Sequence, residues 1–164
     1  WVQQHITAEF VPEDTSDTNA ISYTARGTKY GDVVRTSGRA ITTDRAKNSG
    51  GKGQGVTSTG LYMSALAVSA SQAIREAAKG MPLDDVRVEV THHAPDSFTR
   101  EITLYGQLSD QQAEVLRQAG AASTVDGYVA ANTIATTVRT ASVASRRAAN
   151  QEAGKAHINR SSRR

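Results

Sequence analysis

Between Leu61 and Lys79 the chain runs without Gly or Pro, and it stops at Gly80 with Pro82 just beyond. That pattern predicts a helix over 61–79 with its own termination signal. Ser64, Ala65, Ala67, Ser69, Ala70, Ser71 and Ala73 keep it thin, so another backbone can approach closely, and a buried central helix is expected. The wider uncharged stretch, Gly53 to Ile74, is rich in Ser, Thr, Gly and Ala and lacks the continuous apolar character of a bilayer-spanning helix. No membrane insertion is expected.

The flanking sequence must supply the layers against which such a helix packs. Ile6 to Phe10, Ile21 to Ala25, Asp32 to Arg35 and Arg39 to Thr43 read as strands broken by Gly27, Gly31 and Gly38, with antiparallel hairpins as the economical arrangement. Asn48 to Gly60 reads as a mobile Gly/Ser/Thr loop. After the helix, Val86, Val88 and Val90 alternate with Arg87, Glu89 and Thr91; a turn at Ala94–Asp96 leads to a second apolar face at Phe98, Ile102 and Leu104. Ser109 precedes Gln112 by three residues, a capping-box spacing, and opens a second helix to about Ala119 that Gly120 ends. Residues to Asn132 are ambiguous, and Thr133 to Arg139 reads as a last strand. The order is that of a mixed α+β domain with antiparallel sheets. At 164 residues with 38% apolar and 21% charged content, one globular domain over 1–140 and a basic Ala/Arg-rich tail over 141–164 are expected.

Composition removes whole classes of chemistry. The chain has no cysteine, so it supplies no thiolate nucleophile, zinc-binding sulfur or thiol redox couple. Of its net charge of +3, residues 139–164 carry seven Lys/Arg against one acid, leaving −3 for residues 1–138. The tail reads either as a solvated charge run or as an arm that contacts an acidic partner or nucleic-acid phosphates. No aromatic residue lies in it to stack on a base. No basic-then-apolar leader opens the chain at Trp1, and cytoplasm is the expected compartment.

The remaining local features point weakly to chemistry. His92 and His93 are neighbours on a strand and point to opposite faces, so they do not readily share a metal; either one in a pocket would serve as a general base. Gly50 to Gly55, with Lys52 inside, lacks the Ser/Thr of a phosphate loop and the third glycine of a dinucleotide fingerprint, though its backbone N–H groups could still face an anion. Asp84 and Asp85 are expected in a turn, bonded to local backbone. Asn159-Arg160-Ser161 is a glycosylation tripeptide only in a secreted chain. No metal or cofactor is expected.

Leu61-Tyr62-Met63-Ser64-Ala65-Leu66-Ala67-Val68-Ser69, then Met81 to Val90, the strand Phe98 to Gly106 and the capped start Leu108 to Gln112, together resemble the OsmC/Ohr family over roughly residues 20–139. The resemblance implies an intertwined homodimer with its long helices at the centre and pockets at the subunit interface. Family members typically reduce organic hydroperoxides with two cysteines. Here Ser69 occupies the first cysteine's position and Ala122 falls near the second, while Ser58-Thr59-Gly60 replaces the family's Pro-Glu step, a departure that favours natural divergence over engineering. Thiol-based peroxide reduction is therefore chemically unavailable to this chain. What the resemblance leaves is a pocket at Arg45, Tyr62, Leu66, Ser69 and Ala122 for a small organic ligand, with Arg39 as the rival arginine and non-redox catalysis by Ser69, His92 or His93 as an extension. Ser69 lacks a Gly-x-Ser-x-Gly elbow, and close helix packing is its plainer role. The alternative is a non-catalytic interaction subunit that works through its basic tail.

Overall fold

The computed structural model describes residues 16–25 and 27–131. The expected strands Ile6 to Phe10 and Thr133 to Arg139, the tail, and the 140/141 boundary lie outside the described residues. The chain divides into two compact units, one containing the residues up to Thr57 and the other running from Ser58 to Ile134.

In the first unit, β1 (Ala20–Thr24), β2 (Asp32–Thr36) and β3 (Arg39–Thr43) form an antiparallel sheet in sequence order. Ser37 and Gly38, both at positive φ, make the two-residue turn that suits the twist of a hairpin. The β1–β2 connection closes on Thr28, whose hydroxyl donates to the Ala25 carbonyl at 2.8 Å and accepts from the Gly31 N–H at 3.0 Å. Val33 of β2 is buried.

The glycine segment after β3 is a folded structure rather than the open loop its composition suggests. A short 3-10 turn spans Lys47–Ser49, and Val56 bridges back to Thr43. The organising group is Asp44: its carboxylate accepts the backbone N–H groups of Arg45 (2.8 Å), Lys52 (3.0 Å) and Gln54 (3.2 Å). Gly51 is needed for close approach, because a β-carbon there would lie 2.0 Å from the Arg45 carbonyl oxygen.

The second unit is built on α1 (Ser58–Ala77), which packs against the hairpin of β4 (Leu83–His93) and β5 (Ser97–Gly106) and against α2 (Asp110–Ala121) and α3 (Thr124–Ala131). Pairing of Val86 with Leu104 and Val88 with Ile102 sets one apolar face of the hairpin. That face meets Ile74, Ala78 and Leu116, with Met81 and Leu108 at its margin. Ile74 and Leu116 are fully buried. Burying such a side chain contributes about 2 kcal/mol each.

Four expectations need correction. The helix begins at Ser58, a turn earlier than Leu61, and ends at Ala77. Only Leu66, Ala70 and Ile74 are buried along it, because a single stripe of a helix can face a core built on one side, so the expected buried central helix is buried along one face in the single chain. Asp84 and Asp85 belong to β4, beside an irregularity between Leu83 and Asp85, although Asp85 does bond locally, to the Val86 N–H at 2.7 Å. Gly120 lies inside α2, and it is there for packing: a β-carbon would stand 2.8 Å from Cδ1 of both Ile74 and Ile102. The ambiguous segment that follows is α3.

Candidate functional site

The loop between α2 and α3 turns at Ser123, and two residues that anchor it arrive from far away in sequence. Ser69, midway along α1, accepts the Val125 N–H at 3.2 Å through its hydroxyl oxygen. That bond satisfies one of the orphan donors at the start of α3. Among the described residues no histidine or carboxylate hydrogen-bonds Ser69, so its hydroxyl has a capping partner and no base. Arg100, on β5, closes the other side. Its guanidinium forms a fork on Asp126, with Nη2 donating to Oδ1 at 2.6 Å and Nη1 to Oδ2 at 3.1 Å, and Nη1 also donates to the Gly120 carbonyl at 2.8 Å. Asp126 Oδ2 accepts the Ser123 N–H at 3.1 Å and the Ser123 hydroxyl at 2.7 Å.

The pair is largely enclosed, with 17% of the Arg100 side chain and 27% of the Asp126 side chain exposed. The Arg100 hydrogen bond holds the Asp126 carboxyl below the usual carboxylate range, the Ser123 hydroxyl adds to that, and partial burial opposes both. Of the five N–H groups on a guanidinium, three are spent on Asp126 and Gly120; the buried Nε–H has no partner, and one Nη2 N–H remains.

Beside this pair lies a cavity of about 340 Å³ lined by Tyr62, Leu66, Val90, Phe98, Thr99, Arg100, Asp126, Val129 and Ala130. The Tyr62 and Phe98 rings meet edge to face at 5.1 Å, and the His92 ring lies 4.9 Å from that of Phe98. The cavity wall is therefore mainly aromatic and aliphatic, interrupted by one internally neutralised ion pair.

Of the residues singled out in the sequence, Tyr62 and Leu66 line this cavity. Ser69 caps α3, and Ala122 is the exposed C-cap of α2, where its N–H bonds to the Gln118 carbonyl. His93 Nε2 is 2.9 Å from Thr99 Oγ1 on the exposed end of the hairpin, and His92 is likewise exposed. Arg45 belongs to the first unit, where its guanidinium lies 4.1 Å from the centre of the Tyr30 ring; Arg39 is exposed on β3 of that unit. Among the described residues no group of three His, Asp or Glu side chains could hold a metal ion. The backbone N–H groups of Lys52 and Gln54 in the glycine loop, candidates in the sequence for an external anion, face Asp44.

Arg100 and Asp126 were not among the expected site residues, yet both leave a trace in the sequence. Phe98, Arg100, Ile102 and Leu104 alternate on one strand face, so Arg100 is a cation set in the core-facing row. Ser123 and Asp126 have the spacing of a capping box that starts a helix.

No protein-family model matches the sequence, and no curated protein matches it. Solved structures do. A Psychrobacter arcticus protein, provisionally described as an osmotic stress induced and detoxification response protein, superposes with a TM-score of 0.56 at 21% identity, covering 72% of this chain and 89% of its own. An organic hydroperoxide resistance protein OsmC from Legionella pneumophila matches with a TM-score of 0.39 at 19% identity, over 62% of this chain and 81% of its own. A Vibrio cholerae organic hydroperoxide resistance protein, with captopril bound in one of its active sites, gives 0.39 at 17% identity, over 62% and 76%. The first superposition is a likeness of fold, and the OsmC-like α+β architecture expected from the sequence is the one this chain adopts.

Proposed function

From an OsmC-like fold that carries no thiol, we propose that this chain binds a small organic molecule and does not reduce one. The observation that supports the reading is the cavity walled by Tyr62, Leu66, Val90, Phe98 and Val129, in which the charge of Arg100 is already matched by Asp126. Apolar walls with one or two placed polar groups are the usual make-up of a small-molecule site. An anionic ligand would have to compete with a bidentate carboxylate for the arginine and would bring a second negative charge beside Asp126. An uncharged ligand avoids both costs, and a carbonyl or hydroxyl oxygen on it can take the remaining Nη2 N–H of Arg100.

The same reading includes a homodimer. Val68 and Tyr105 are 54% and 46% exposed, and they line an open groove of about 600 Å³ between α1 and the β4–β5 hairpin together with Ala67, Ser71, Val86 and Val88, with Arg75, Asp85 and Arg87 also in its lining. A second copy seated there would cover the stripe of α1 that this chain leaves bare.

Calorimetric titration with acetophenone and with benzoate tests the ligand class. Saturable binding of the ketone, absent for the carboxylate and abolished by Val129→Trp, is the expected result, since Val129 is exposed and its enlargement fills the cavity from the rim. Failure of a panel of uncharged aromatic and aliphatic ketones and alcohols to bind overturns the reading, as does binding that Val129→Trp leaves unchanged.

A further inference from the structure

Charge is distributed unevenly along the described part of the chain. Residues 16–57 carry seven Lys/Arg against three acids, a net +4, while residues 58–134 carry five against nine, a net −4. Within the first unit the register pairs Thr24 with Asp32 and Asp32 with Thr43. The β1–β2 connection and the loop that follows β3 therefore emerge at one end of the sheet, bringing Lys29, Arg45, Lys47 and Lys52 to that end. All four are exposed, and among the described residues none is in an ion pair.

We infer that this end of the three-stranded sheet is a landing surface for the phosphate backbone of a nucleic acid. Two of the cations are held in place by one ring: the Arg45 guanidinium lies 4.1 Å and the Lys29 ammonium 5.0 Å from the centre of Tyr30. Contacts of this kind orient a cation while leaving its charge uncompensated. The Lys47 stem runs past Gly53, where a β-carbon would sit only 3.4 Å from its Cγ. Two acids share this end: Asp44 is buried and turned inward onto three backbone N–H groups, and Asp32 is half-buried at the start of β2; among the described residues neither forms an ion pair with these side chains. Four exposed cations against two acids, one buried and one half-buried, leave this end net positive, a potential that an approaching polyanion relieves.

The loop's backbone also discriminates between kinds of phosphate ligand. A single compact phosphate is usually cradled by free backbone N–H groups. Here those of Arg45, Lys52 and Gln54 go to Asp44, and those of Gly51 and Gly53 go to the carbonyls of Ala46 and Arg45. What remains is side-chain charge spread over an open surface, which suits a ligand with many phosphates in a row, bound through counterion release. In sequence, the seven Lys/Arg of residues 139–164 add charge of the same sign.

Fluorescence anisotropy of the full chain with a labelled single strand of about 20 nucleotides tests the inference. Contact with about four phosphates predicts roughly 50-fold weaker binding between about 50 and about 200 mM salt. Lys29→Gln, Lys47→Gln and Lys52→Gln combined should weaken binding about tenfold or more at the lower salt and flatten the log–log salt slope by about 2. Should that variant fail the circular dichroism check for folding, Lys47→Gln and Lys52→Gln singly should each flatten the slope by about 0.7. Four results overturn the inference: no binding at the lower salt; an unchanged slope in the loop variants, with loss only on substituting Arg146, Arg147, Arg163 and Arg164; inorganic triphosphate competing at equal affinity per molecule; or binding to phosphatidylserine vesicles without binding to the strand.

Discussion

Arg100 stands where strand alternation calls for an apolar side chain, and a cation in that row must find compensation close by. Asp126 and the Gly120 carbonyl provide it. The carboxylate of Asp126 lies below its unfolded value of about 3.9, so between the two values the unfolded chain binds a proton that the folded chain does not. Its contribution to stability is therefore complete above about pH 5 and is lost as the pH falls through the folded value. Asp126→Asn should cost about 1 kcal/mol near neutral pH, a figure discounted for the partial exposure of the pair, and the gap to the parent chain should close below about pH 4. Urea unfolding across that range measures it, and a gap independent of pH would contradict the assignment. Asp44, whose carboxyl is lowered chiefly by the Gln54 N–H, titrates with the same sign in both proteins, so it drops out of the difference.

At the level of elements, periodicity located most of the pieces and misjudged how their ends are made. Ser109 shows the reciprocal capping box its spacing predicts, with the Gln112 N–H donated to its hydroxyl and its own N–H donated to the Gln112 side chain. The start of α3 is mixed: the Ser123 N–H goes to Asp126, as their capping-box spacing suggests, whereas the Val125 N–H goes to Ser69, 56 residues earlier. No local pattern encodes a cap that another helix supplies, and the Ala/Ser/Thr composition of the segment left it ambiguous. Ser69→Ala should destabilise the chain by about 1 kcal/mol, as losing an ordinary N-cap does, with the loss concentrated in α3. Amide hydrogen exchange should show faster exchange at Val125 than at Gln112; equal protection at Val125 before and after the substitution would remove Ser69 from the cap. Gly120 illustrates a second limit. A glycine near a helix end reads as a stop, whereas here contact with Ile74 and Ile102 retains it inside the helix.

For the molecule as a whole, the exposed stripe of α1 carries the homodimer proposal. Val68→Asp puts a charge on an exposed residue of the groove lining without touching the buried residues Leu66, Ala70 and Ile74. It should shift native mass spectra from dimer to monomer while the chain stays folded; a parent chain that is monomeric at tens of micromolar would refute the dimer. Among the described residues no helix is long and apolar enough to cross a membrane. The sequence by itself determined the absence of thiol chemistry, because no arrangement in space supplies an atom the chain lacks, and it determined the α+β order, because alternation and helical spacing are local properties. Only the tertiary structure decided that Arg100 borders the cavity of the second unit, that Asp44 fills the glycine loop, and that Ser69 serves as a cap. Each of these depends on which distant side chain reaches an unsatisfied charge or backbone group, and that is settled by packing.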